Sequence, residues 1–253
     1  MTRLNPQTLA GKARQRLGVG PDLPLCNLFT LLRQDGLHVI RYPFSFEGST
    51  AAVLCRKGKE FFAAIDSAKA LENQYFSAAH EFGHYLAHQD RLYFACGSVE
   101  PGSPESNELE WFANAFAAEL LLPRTAAEAW LERNALNPSA PSLHEVVRLQ
   151  QTYCLSYSAA LYRLANLGII RREQRDEWLA ESPSALARRW GLPGSLYVPD
   201  YATDIPPDYV ARWVDAYEAG KVSFKRLRLA LERVKVSAES LQLRHPVAVD
   251  DVI

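Results

Sequence analysis

Apolar residues recur at helical spacing between about residues 69 and 89, at Leu71, Tyr75, Ala79, Phe82 and Leu86, with no proline in the run. The pattern predicts one long amphipathic helix. A second helix is predicted over Glu108–Leu122. Pro101 and Pro104 precede it, Pro123 stops it, and its apolar residues run nearly all round, so a buried element is expected. Ahead of these lie two short helical patterns, residues 7–18 and Leu25–Asp35, and a strand, Leu37–Tyr42, after the Asp35-Gly36 turn. Residues 51–55 and 61–66 flank Arg56-Lys57-Gly58-Lys59-Glu60, a hairpin signal. Its sheet edge could hold an extended substrate as an added strand. Residues 90–107, with Pro101, Gly102 and Pro104, read as a loop. Residues 143–168 carry two helical patterns, the second starting at Ser156 as N-cap. Tyr209–Ala219 forms a helix ended by Gly220. Lys221, Lys225, Arg226, Arg228, Arg233 and Lys235 interleave with Leu227, Leu229 and Leu231 in a basic helix, read as a solvated face. The fold class is α+β: a mostly helical domain with a small antiparallel sheet, then a helical C-terminal region. The expected regions are 1–125, a helix-turn-helix-like segment at 126–170, and 171–253 of unknown role.

Chemistry concentrates in His80-Glu81-Phe82-Gly83-His84, an HExxH. Histidines four apart on a helix stand one above the other on the same face and can grip one metal ion. Glu81 between them can take a proton from water on that ion. The chain has only six His, so the motif carries information. Gly83 is the oddity, since glycine inside a helix costs about 1 kcal/mol against alanine. A metal-facing position or a close-packed strand would explain it. His88 continues the series, but residues eight apart on a straight helix lie about 12 Å apart along the axis, too far for one ion with bonds of about 2.0–2.1 Å. It is expected to pack or hydrogen-bond near the site. The third ligand should come from the second helix. Glu110 and Asn114 share a face there, Glu110 to bind the metal and Asn114 to orient a ligating His. Glu108, near the solvated helix start, and Glu119, on another face, are the competitors.

Composition narrows the class. The 48% hydrophobic and 23% charged content is that of an ordinary globular chain. A net charge of -1 supplies no global field for nucleic acid. Cys26, Cys55, Cys96 and Cys154 have no CxxC spacing, which fits reduced thiols rather than disulfides or a thiolate zinc site. With no apolar signal core at Met1–Pro6 and no run of membrane-spanning length, a cytoplasmic protein is expected. Within 143–168 only Arg148 and Arg163 are basic, too few for a DNA reader, so a helix pair packed on the first domain is preferred.

The segments Asn73–His88 and Glu110–Pro123 together resemble the two core motifs of the ImmA/IrrE metallopeptidases. The resemblance covers roughly 50–123 strongly, 124–170 more weakly, and little beyond. It implies a gluzincin-like, zincin-type peptidase domain over residues 1–125. It further implies one divalent ion, zinc with manganese as the alternative, held by His80, His84 and Glu110, with Glu81 as general base. Family members cut helix-turn-helix repressors, inducing mobile-element excision or radiation and DNA-damage responses, so a repressor is the expected partner. Tyr85, Tyr153, Tyr157, His144 and Arg163 remain open as oxyanion donors. The rival readings are a DNA- or protein-binding regulator with the metal unused for proteolysis, or the toxin of a two-gene module.

Overall fold

The computed structural model describes residues 5–44, 52–57, 59–89, 93–96, 108–206, 208–241 and 243. Asn5 opens the first helix by accepting from the backbone N–H groups of Gln7 and Thr8, and Pro6 fills the first turn, where its missing N–H costs nothing. This helix, α1 (Pro6–Arg16), is lashed down by the buried Arg14. Its guanidinium donates to the carbonyls of Leu120 at 2.6 Å, of Gly20 at 2.7 Å, and of Leu23. α2 (Leu28–Gln34) then reverses at Gly36, whose φ of +99° suits a residue without a β-carbon, into β1 (Leu37–Tyr42).

β2 (Ala52–Lys57) and β3 (Glu60–Asp66) form the expected antiparallel hairpin, with Val53 opposite Ala64. Two further strands depart from expectation. β1 pairs in parallel with β3, from Leu37 beside Phe61 to Tyr42 beside Asp66. β4 (Tyr93–Cys96), inside the stretch read as loop, pairs antiparallel with β2. The order is β1-β3-β2-β4, so the sheet is mixed rather than antiparallel. The register brings the buried Leu37 and Val39 beside the buried Phe61 and Ala63, which keeps the apolar set on one face. The rest of the expected 90–107 loop lies outside the described residues.

α3 (Leu71–Ala87) carries the HExxH, and α4 (Glu108–Leu121) packs against it. α5 (Arg124–Asn134), not singled out by periodicity, starts directly after Pro123. Next come α6 (Leu143–Thr152), opened by a Ser142/Glu145 capping box, and α7 (Tyr157–Asn166), capped by Ser156 as expected. α8 (Arg172–Leu179), α9 (Pro183–Arg189) and a short 3-10 turn at Ser195–Tyr197 follow.

α3 has no side-chain cap, because Ala70 stands at its N-cap. A distant segment supplies the missing partners. The Leu71 N–H donates to the Val198 carbonyl at 3.1 Å, Ala70 bridges to Pro199, and the Tyr201 N–H donates to the Ser67 carbonyl at 3.1 Å. The Asp200 carboxylate accepts from Gln74 Nε2 at 3.0 Å and pairs with Arg41, which also donates to Gln74 Oε1 at 2.8 Å.

The chain divides into two compact units, Met1–Ala202 and Thr203–Ile253. The boundaries expected near 125 and 170 both fall inside the first unit. One core there joins Phe82 of α3 and Phe116 of α4 to Val146 of α6 and Leu161 of α7. The second unit is built on α10 (Tyr209–Glu218) and α11 (Phe224–Arg233). In it the buried Leu227 and Leu231 meet Val210, Trp213 and Tyr217, and Lys225, Arg226 and Arg228 face solvent. No described helix is long and apolar enough to cross a membrane.

A buried carboxylate ties α3 to the α6–α7 pair. Glu72 accepts from the Tyr157 N–H and from Gln150 Nε2, both at 3.1 Å. Burial pushes its pKa from 4.5 up to about 7, against the opposing pull of the Tyr157 hydrogen bond. A raised folded-state value means the folded chain holds this proton more tightly than the unfolded one. The stability it contributes is full below pH 4.5 and is lost as pH rises through about 7. Glu72→Gln should therefore match wild type at pH 4.5 and gain on it by up to about 3 kcal/mol above pH 8. Denaturant melts across that range check this; parallel stability curves for the two proteins would refute it.

Candidate metal centre

The helical spacing of α3 stacks His80 and His84 on one face, both fully buried, with their Nε2 atoms 3.1 Å apart. α4 brings Glu110 to the same point, Oε2 lying 3.1 Å from His80 Nε2 and Oε1 3.3 Å from His84 Nε2. Among the described residues, these three alone form a cluster of potential ligand atoms, all within 4.8 Å of one another. A tetrahedral zinc site with bonds of about 2.0–2.1 Å has ligand-to-ligand edges of about 3.3–3.4 Å. The observed separations and the two-imidazole, one-carboxylate donor set both fit such an ion.

The remaining ring nitrogens are held from behind. Asn114, one turn beyond Glu110 on α4, lies with Oδ1 3.0 Å from His80 Nδ1. Its carbonyl accepts the Nδ1 proton, which aims Nε2 at Glu110 and would leave the Nε2 lone pair to an ion bound there. His88, at the C-cap of α3, sits 2.9 Å from His84 Nδ1 through its own Nδ1. It thus stands behind His84, away from the converging atoms. Glu81 is fully buried beside His80. Electrostatics follow this geometry. Burial opposes ionisation of Glu110, yet hydrogen bonds from His80 and His84 hold its carboxyl well below the ordinary range. Burial and the neighbouring His80 lower His84, keeping it the neutral imidazole a metal needs. Burial also works against a proton on His80, but the Glu110 hydrogen bond and the charges of Glu81 and Glu110 outweigh it and raise its pKa. Positive charge is thus favoured between these groups.

Gly83 has a packing reason. A β-carbon there would lie 2.9 Å from Cδ1 of the buried Phe116 ring and 3.4 Å from the Ala113 backbone. The close neighbour is the helix α4, not a strand or a metal. Glycine lets α4 approach until Glu110 meets the histidines. Gly83→Ala gains about 1 kcal/mol of helix propensity but overpacks at a cost of about 1–3 kcal/mol. The expected outcome is a lower melting temperature together with weaker metal affinity, measured on the same sample. A variant with raised stability and unchanged affinity would contradict the packing account.

Comparison with protein-family models matches residues 60–165 to the IrrE N-terminal-like domain of the peptidase M78 family. These residues form a peptidase M78 domain. The M78 match takes in α3 and α4, and so every residue of the His-His-Glu cluster. A search of curated proteins finds no match to the chain.

Within the M78 domain the structure separates the other candidates. Glu119 pairs with Arg163, and Glu108 is exposed at the start of α4. The five candidate oxyanion donors have work elsewhere. Tyr85 packs on Phe61 and Phe82. Tyr153 donates to the Asp22 carbonyl at 2.8 Å, Tyr157 to that of Trp178 at 2.7 Å, and Arg163 to that of Leu122 at 2.9 Å. His144 lies edge-on to Trp190. Each of these contacts is made with a residue outside the His-His-Glu cluster. α4 is also less buried than its composition suggests, since Trp111, next to Glu110, is 59% exposed. With His88, Glu108 and Phe112 it lines a cavity of about 450 Å³. An aromatic residue adjoining a candidate ligand is the one sequence signal that points to this wall.

Proposed function

We propose that the chain is a zinc-dependent endopeptidase that cleaves a helix-turn-helix transcriptional repressor and so induces a stress, DNA-damage or mobile-element response in the cytoplasm. The observation that carries it is the convergence of His80, His84 and Glu110, with Glu81 buried beside the first. His80, His84 and Glu110 would hold the ion, leaving one position open. Zinc suits this donor set best, with manganese as the alternative. When bound, such an ion supplies Lewis acidity, polarising a carbonyl and lowering the pKa of water toward ~7. Glu81 takes the proton from the attacking water and returns it to the leaving amine. Asn114 accepts the His80 Nδ1 proton, and His88, by accepting that of His84, would likewise leave the Nε2 lone pair to the ion.

The regulator and toxin readings have less support. A structural metal needs no carboxylate in the position of Glu81. Of the two cations within residues 143–168, Arg163 is buried against Glu119 and Arg148 lies over the Trp130 ring. Direct nucleic-acid binding by that segment is accordingly not part of the proposal. Incubating the purified chain with a helix-turn-helix repressor, taken from a neighbouring gene where one encodes it, with and without chelator, tests the whole reading. Cleavage that chelator abolishes and zinc restores is expected. A repressor left intact under every condition, while still being bound, would move the assignment to a binding regulator.

A further inference from the structure

Cys26 and Cys154 are far apart in sequence and meet in the fold. Cys26 lies exposed just ahead of α2, with Sγ 3.4 Å from the Thr152 carbonyl oxygen. Cys154 is two residues further along the same turn between α6 and α7, nearly buried, with Sγ 3.9 Å from the Gln151 carbonyl oxygen. The Cys26 sulfur thus rests against the turn that carries Cys154, close enough for the two thiols to perturb each other's ionisation. Both backbones are fixed. Tyr75 of α3 donates to the Cys26 carbonyl at 2.6 Å. Cys154 is held at φ +52°, a left-handed conformation rarely taken by a residue with a β-carbon, and Gln150 clamps the turn by donating to the Leu155 carbonyl.

We propose that Cys26 and Cys154 form a peroxide-sensitive dithiol site that closes to an intramolecular disulfide. The two sulfurs are unequal in the way such chemistry needs. Cys26 is accessible and Cys154 is sheltered; in line with that, the neighbouring Cys154 thiol lowers the pKa of Cys26, while that of Cys154 is raised. The Cys26 thiolate attacks one oxygen of a hydroperoxide. The S–O bond forms, the O–O bond breaks, and the leaving oxygen departs as hydroxide, which takes up the proton lost by Cys26. Cys154 then attacks the sulfenic sulfur. The S–S bond forms, the S–O bond breaks, and the hydroxyl leaves as water with the Cys154 proton. Two thiols are oxidised, and hydrogen peroxide is reduced to two waters. The new bond would strap the start of α2 to the α6–α7 turn, two segments that both hold the first half of α3. Cys55 is an internal control, since burial alone raises its pKa.

The full chain is treated with hydrogen peroxide, alkylated under denaturing conditions and mapped by mass spectrometry. A peptide linking Cys26 to Cys154 is expected, with a rise in melting temperature. Cys26→Ser abolishes both. Cys154→Ser instead accumulates a sulfenic acid on Cys26 that dimedone captures. In the untreated protein, iodoacetamide should modify Cys26 faster than Cys55 by on the order of tenfold. Should Cys154→Ser fail to fold, Cys26→Ser and Cys26→Ala, at an exposed position, carry the comparison. Peroxide-treated protein with both thiols still alkylatable, linkage only between chains, or equal reactivity of Cys26 and Cys55 would each overturn the proposal.

Discussion

Glu81→Gln should keep the fold, the metal and the substrate, and lose proteolysis by a factor on the order of 10²–10⁴. The substitution preserves volume in a fully buried position, so packing with α3 and its neighbours is retained. It also leaves His80, His84 and Glu110 in place, so metal content should equal that of wild type. What it removes is the proton acceptor one residue from His80. A gel-based cleavage assay with the repressor, paired with a binding measurement on the same variant, reads both halves of the expectation. Equal relief of repression by wild type and Glu81→Gln, with the repressor uncut, would mean that the protein acts by binding even with a metal in the site.

Removing a donor should have a comparably large effect on the metal itself. His84→Ala and Glu110→Ala each leave two of three converging ligands, and metal analysis after dialysis should fall from about one ion per chain to well below it. Glu108→Ala and Glu119→Ala should retain the ion, because the first is exposed at the helix start and the second pairs with Arg163. His88→Ala removes the hydrogen bond behind His84 and an edge contact with Phe112. It should still fill at saturating zinc, with affinity reduced about 10–100-fold. Full occupancy in Glu110→Ala with loss in Glu108→Ala or Glu119→Ala would assign the third ligand elsewhere.

What could be read from the sequence was local, and what could not was tertiary. The apolar spacing of Leu71–Leu86 and the prolines around Glu108–Leu122 announce α3 and α4, because helix period and helix breakers act over a few residues. The His80/His84 spacing is equally local. β4 escaped because four residues are too few for alternation to register. α5 escaped because Pro123, read as a stop, is also the N-cap of the next helix. The parallel pairing of β1 with β3 is set by which faces find the core, which no single strand records. Gly83 signalled a close approach, but its partner, Phe116, lies on another helix and could not be named in advance. The Cys26–Cys154 pair carries no spacing signature at all. The oxyanion donor stayed open for a related reason: each candidate side chain was plausible by type, and type does not record which side chain the fold brings to the ion.

The N-terminus of α3 is finished by Val198, Pro199 and Asp200, well beyond the end of the family match at residue 165. The matched segment is therefore shorter than the compact unit that folds around it. During synthesis, α3 is made long before its cap, so its first turn waits on a contact of high sequence separation. A recombination break or gene fusion placed at residue 165 would strand the buried Arg41 and Gln74 without the Asp200 carboxylate and remove the Tyr197 hydroxyl from Gln150. A break after Ala202 would leave all of those bonds intact.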